Sequence, residues 1–122
     1  MNSPLSPQLL AHRGFTMSAP ENSEVAIVEA LAREEIDGLE LDVQLSADGV
    51  PVVFHDTDLQ RLTGTAGRLE AWDYVALEAL RVEGHPIPRL DALIAHDAFT
   101  HPRAPALINV ELKPTARATE LV

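Results

Sequence analysis

The stretch Leu39–Asp56, LELDVQLSADGVPVVFHD, constrains the fold more than any other part of the chain. Side chains alternate along an extended backbone, so Glu40 and Asp42 share one face while Leu39, Leu41 and Val43 share the other. An apolar face of that kind packs on helices. A Ser-Ala-Asp-Gly break follows, and the apolar run Val50–Phe54 then delivers His55 and Asp56. Asp48-Gly49 is a hairpin signal, which predicts that these two strands run antiparallel, at least locally. A parallel connection would need a crossover of about a dozen residues or more. Taken alone, a half-exposed strand with solvated acids and a surface histidine would account for the stretch. Two further stretches repeat the arrangement and weigh against that account.

The first lies upstream. Pro4 and Pro7 predict an extended leader, and Gln8–Ala11 reads as a short strand ending in His12-Arg13-Gly14, where glycine permits a sharp turn. Asn22 and Ser23 are both candidate N-caps for a helix whose apolar face is Val25, Ile27, Val28, Leu31 and Ala32. Glu21 is expected to act through helix-entry electrostatics, and Gly38 to serve the turn into the next strand. The other stretch is Ala104–Pro114, APALINVELKP. Here Ile108, Val110 and Leu112 share an outward face beneath helices, and Asn109, Glu111 and Lys113 share the inward one. Between them, Thr57–Gly84 is irregular with a short helical piece near Asp73–Leu80, and a helix follows Pro86 and Pro88. His85, His96 and His101 are expected at the surface. A new helix is expected to begin at Thr115.

The chain has 122 residues, 46% of them hydrophobic, enough for one domain with a core. It has no cysteine, which excludes disulfides, thiolate catalysis and cysteine-based metal sites. No apolar run reaches the roughly 20 residues of a membrane span, and the N-terminus lacks the pattern of a secretory signal. A cytoplasmic location without stable membrane insertion is the resulting expectation. A net charge of −10 argues against nucleic acid as a partner. An anionic substrate would therefore need positive charge supplied locally.

Strands alternating with helices predict an α/β fold with a mostly parallel sheet. In a barrel of that kind, reactive groups gather at the C-terminal strand ends. The inward residues there are His12, Glu40, Asp42, His55, Glu111 and Lys113. Three clustered carboxylates would cost several kcal/mol without compensation, which a bound cation supplies. An all-oxygen set suits a hard ion, Mg²⁺ or Ca²⁺. Two histidines beside such an ion suit in-line displacement at phosphorus, one accepting a proton and the other giving one. Arg13 and Lys113 would hold the phosphoryl oxygens.

Together His12-Arg13-Gly14, Pro20-Glu21-Asn22-Ser23, Glu40-Leu41-Asp42-Val43, Asp48-Gly49, His55-Asp56 and Glu111-Leu112-Lys113 resemble the glycerophosphodiester phosphodiesterase family. Arg61, Thr63, Gly67 and Ile87-Pro88-Arg89-Leu90 also fall where that family has similar residues. Ser23 stands where the family more often has threonine, which keeps the hydroxyl. The resemblance implies a TIM-like (β/α)8 barrel that hydrolyses glycerophosphodiesters to glycerol 3-phosphate and an alcohol. It makes Glu40, Asp42 and Glu111 the metal ligands, His12 and His55 the acid and base, and Arg13 and Lys113 the phosphate contacts.

Such a barrel typically takes about 250 residues. Residues 1–122 are therefore expected to be the N-terminal part of one such domain, about half a barrel and incomplete in this chain. Half a barrel leaves strand edges unpaired, which predicts self-association or complementation by a C-terminal half. Two alternatives stand beside the leading reading. One is a related phosphodiesterase of phospholipase C or D type acting on lysophospholipids or phosphoinositides, and the other is an inactive truncated module that retains the metal site.

Overall fold

The computed structural model describes residues 8–102 and 105–113. The expected extended leader at Pro4 and Pro7, the helix from Thr115, and Ala104 and Pro114 at the ends of the third stretch lie outside these residues. Strand β1 spans Leu10–His12, helix α1 Glu24–Ala32, and strand β2 Gly38–Leu45. Strand β3 (Pro51–Val53) leads to α2 (Gln60–Thr63), a 3-10 turn at Leu69–Ala71, and α3 (Tyr74–Glu78). Helices α4 (Leu90–Ile94) and α5 (Asp97–Thr100) precede β4 (Leu107–Leu112).

Every residue of β2 is buried, and all three other strands pair with it. Parallel β1 sets His12 opposite Glu40, and parallel β4 sets Glu111 opposite Asp42. Antiparallel β3 sets Val53 opposite Val43, the hairpin that Asp48-Gly49 predicts. Glu40 faces partners in β1 and β4, and Val43 faces partners in β3 and β4. Hence β1 and β3 share one edge of β2, while β4 takes the other. The expected conflict resolves because β3 is a short return beside β1, leaving β1, β2 and β4 mutually parallel.

The apolar face of β2 behaves as its alternation predicts. Leu39, Leu41 and Val43 pack with Ile27 and Ala30 of α1 and Leu93 of α4. Ser23 is the N-cap of α1, its Oγ accepting from Ala26 N at 3.1 Å, which satisfies a first-turn donor. The irregular segment after His55 builds a second core, in which Leu59, Leu69, Tyr74, Leu77 and Ile87 close around Val52 and Phe54.

Gly38 departs from its expected role. It is the first residue of β2 rather than a turn, and a Cβ there would fall 1.9 Å from the Leu107 carbonyl oxygen. Glycine is required by the close approach of β4, not by backbone dihedral freedom. The outward face of β4 also differs from expectation. Ile108 packs on the α1 core, but Val110 and Leu112 are 44% and 40% exposed, because no described element covers them.

Candidate functional site

Register alone assembles the site. Glu40 and Asp42 lie two apart on one face of β2, and parallel pairing places His12 and Glu111 on that same face. Carboxylate oxygens of Glu40, Asp42 and Glu111 come within 4.8 Å of one another. His12 Nε2 lies 3.4 Å from Glu40 Oε2. Lys113 follows the end of β4, its Nζ 3.4 Å from Glu111 Oε1 and 3.7 Å from Asp42 Oδ1.

The loop after β1 carries the next groups. Arg13 has φ 60°, in the left-handed region, and its N–H donates to Glu40 O at 2.8 Å. Its Nη1 donates to Glu21 Oε2 at 3.0 Å, and its Nε lies 3.5 Å from Asp42 Oδ2. Asn22, also left-handed at φ 56°, donates from Nδ2 to Asp42 Oδ2 at 3.0 Å. The second N-cap candidate is thus a partner of the buried acid, while its neighbour caps the helix.

These surroundings split two carboxylates of one strand. Burial, with Asp42 close by, pushes the Glu40 carboxyl from its ordinary 4.5 up to about 7. Burial also acts against the charge of Asp42, but the amide of Asn22, then Glu40, Lys113 and His55, outweigh it and hold Asp42 low. Glu40 Oε1 and Oε2 and Asp42 Oδ1 are buried without a hydrogen-bond partner. Buried acceptors left unpaired are costly. Three of them converging with Glu111 fit a hard divalent cation, which would be held by Glu40, Asp42 and Glu111.

His55 follows β3, on the same edge of β2 as β1. Gln44, the next residue on the Glu40–Asp42 face, donates from Nε2 to Phe54 O at 2.9 Å and to Asp56 O at 2.8 Å. This ties the backbone on both sides of His55 to the strand that carries the acids. His55 Nδ1 lies 2.7 Å from Asp56 Oδ1. Arg61 holds the Asp56 carboxylate from Nε and Nη2, at 2.7 and 3.0 Å. With Arg61 first among its causes, the Asp56 carboxyl is held down at about 2 despite burial. A cavity of about 700 Å³ opens beside the cluster, lined by His12, Arg13, Glu21, Arg61 and His85 among others.

The structure therefore brings together His12, Arg13, Glu40, Asp42, Glu111 and Lys113, with His55 held against β2 by Gln44. Two readings need correction. Glu21, expected only at the helix entry, has its carboxylate engaged by both Arg13 and Arg61. His85 and His96 are half-buried, the first on the cavity wall and the second capping α5 through Ala98 N, while His101 is exposed. Sequence reasoning missed Gln44, although the 40, 42, 44 alternation marks it, and it gave Asn22 and Arg61 no part in the site.

The fold and the chain's solved relatives define the class: a TIM-like α/β barrel, of which this chain supplies the N-terminal part. Within that class the chain belongs to the glycerophosphoryl diester phosphodiesterase family, whose profile matches residues 12–122. A glycerophosphodiester phosphodiesterase of Bacillus altitudinis is 34% identical over 114 residues, covering 87% of this chain and 45% of that protein. Human glycerophosphodiester phosphodiesterase 1 is 45% identical over 60 residues, covering 49% of this chain and 18% of that protein. An Oleispira antarctica phosphodiesterase, solved with the product sn-glycerol-3-phosphate, superposes with a TM-score of 0.77 at 33% identity. That match covers 89% of this chain and 45% of the solved one. The chain thus spans less than half the length of each of these relatives. Among the described residues no helix is long and apolar enough to cross a membrane.

Proposed function

We propose that residues 1–122 are the N-terminal part of a single domain that hydrolyses glycerophosphodiesters to glycerol 3-phosphate and an alcohol. In this reading Glu40, Asp42 and Glu111 hold Mg²⁺ or Ca²⁺, which when bound supplies Lewis-acid polarisation and offsets phosphoryl charge. The observation that carries it is the set of buried carboxylate oxygens on Glu40 and Asp42, without hydrogen-bond partners, converging with Glu111 beside His12 and Lys113.

The chain's own residues then divide the work. Arg13 and Lys113 bind the phosphate oxygens, their positive charge offsetting an acidic surround. Asn22 keeps Asp42 oriented and ionised. His55 takes the proton of the attacking oxygen, that of water where hydrolysis is direct, and His12 gives one to the leaving alcohol oxygen, which departs toward the adjoining cavity. Inclusion of His12 and Arg13 in that cavity wall supports this direction.

The short span relative to the relatives favours a second reading of the isolated chain, a cation-binding part without turnover on its own. Two measurements separate the readings: calorimetry with Mg²⁺ and Ca²⁺, and release of glycerol 3-phosphate from glycerophosphocholine with and without chelator. Chelator-sensitive release is expected. Cation binding without release supports the second reading, and no cation binding at all refutes both. His55→Ala is expected to abolish release while cation affinity stays within about threefold, since His55 is outside the ligand set.

A further inference from the structure

We propose that Glu21, Arg61 and Asp56 form a positioning clamp that fixes the His55 ring as its Nδ1–H tautomer and couples that ring to Arg13. The observations are a continuous chain of polar contacts across residues far apart in sequence. His55 Nδ1 meets Asp56 Oδ1 at 2.7 Å. Arg61 turns one guanidinium edge to Asp56, with Nε to Oδ2 at 2.7 Å and Nη2 to Oδ1 at 3.0 Å. Its other edge meets Glu21, with Nη1 to Oε1 at 3.0 Å and Nη2 to Oε2 at 3.2 Å. Glu21 Oε2 also accepts from Arg13 Nη1 at 3.0 Å.

A carboxylate ionised at neutral pH only accepts hydrogen bonds, so the proton between Asp56 and His55 belongs to Nδ1. The neutral ring then keeps Nε2 as its acceptor nitrogen. Arg61 is suited to its place because a planar guanidinium serves two carboxylates with paired donors, which an ammonium does not. Glu21 and Asp56 side chains are only 15% and 21% exposed, so both carboxylates are set into the wall, and Arg61 bridges them from a half-exposed position. Gln44 fixes the backbone of the same segment, which leaves ring orientation and proton placement as the freedoms that Asp56 removes. None of the three clamp residues belongs to the acid cluster.

The inference deepens the hydrolase reading by naming Nε2 as the atom that accepts the proton, but the tautomer itself does not depend on any reaction. The test is ring-nitrogen NMR of the histidines in the whole chain, at a pH where His55 is neutral, for wild type, Asp56→Ala, Arg61→Lys and Glu21→Gln. Wild type is expected to show His55 protonated at Nδ1 and bare at Nε2. Asp56→Ala is expected to shift the tautomer ratio by about tenfold, the effect of losing one charge-assisted hydrogen bond. Arg61→Lys, at a half-exposed position, is expected to shift it in the same direction by less, and serves if Asp56→Ala does not fold. Where release of glycerol 3-phosphate is measurable, Arg61→Lys should lower kcat with KM held within about threefold. A wild-type ring protonated at Nε2, or a ratio unmoved by the substitutions, overturns the clamp whatever the activity. The expected tautomer in a chain that binds no cation and releases no product upholds the clamp and refutes the hydrolase reading.

Discussion

Replacing Gly38 by alanine tests whether strand packing sets the geometry of the acid cluster. A Cβ at this position lies 1.9 Å from the carbonyl oxygen of Leu107, 2.7 Å from its carbonyl carbon and 2.8 Å from its nitrogen. All three are backbone atoms, so no side-chain rotation relieves the overlap. Restoring ordinary contact requires β4 to retreat by about 1.5 Å at its first residue. The Leu107 N–H to Asp37 O bond, 3.1 Å, would be lost with it. Overpacking costs about 1–3 kcal/mol and the bond about 1 kcal/mol. A total of about 2–4 kcal/mol lowers the unfolding midpoint of a chain this size by roughly 8–15 °C. Glu111 sits four residues along the same strand, so a rigid retreat moves its carboxylate away from Asp42. Calorimetric unfolding and Mg²⁺ titration of wild type and variant read both effects. A midpoint within about 2 °C of wild type, with unchanged cation affinity, would refute the reasoning.

The other predictions concern the acids themselves. Asp42→Asn is expected to weaken cation binding at least about tenfold and to recover part of any turnover in excess cation; a variant indifferent to chelator would remove Asp42 from the ligand set. Glu40, whose folded pKa is raised from 4.5 to about 7, binds more protons folded than unfolded between those values. Without cation, its contribution to stability therefore falls as pH rises from about 4.5 through about 7. The difference in melting temperature between wild type and Glu40→Gln across that window measures it, and a difference independent of pH contradicts the assignment. Cation binding near pH 6 should release close to one proton, read from the dependence of calorimetric heat on buffer ionisation.

Much of this was legible in the sequence because period-two alternation fixes which residues share a face. Glu40 and Asp42 on one side of β2, and Leu39, Leu41 and Val43 on the other, follow from spacing alone. The hairpin was legible because Asp48-Gly49 leaves few alternatives. The convergence of Glu111 on Asp42 required knowing that β4 lies beside β2, a pairing across 69 residues that no local pattern encodes. The same holds for Arg61 and Glu21, which meet across 40 residues through loops. Gly38 was misread for a related reason: glycine signals both turns and close approach, and only the partner strand tells them apart. Val110 and Leu112 alternate as a buried strand should, yet alternation says nothing about which element covers them.

The left-handed backbone at Arg13 and Asn22 has a consequence for encounter with a ligand. Arg13 sits in a conformation that few side chains other than glycine and asparagine adopt readily, and Asn22 in the same region that asparagine tolerates; backbone bonds hold both, Arg13 N–H to Glu40 O of β2 and Asn22 N–H to Arg13 O. The loop is therefore bent into shape when the strands associate, not when an anion arrives. On the reading proposed above, a phosphate would meet an Arg13 side chain already held by Glu21, so less conformational freedom would remain to be lost on binding.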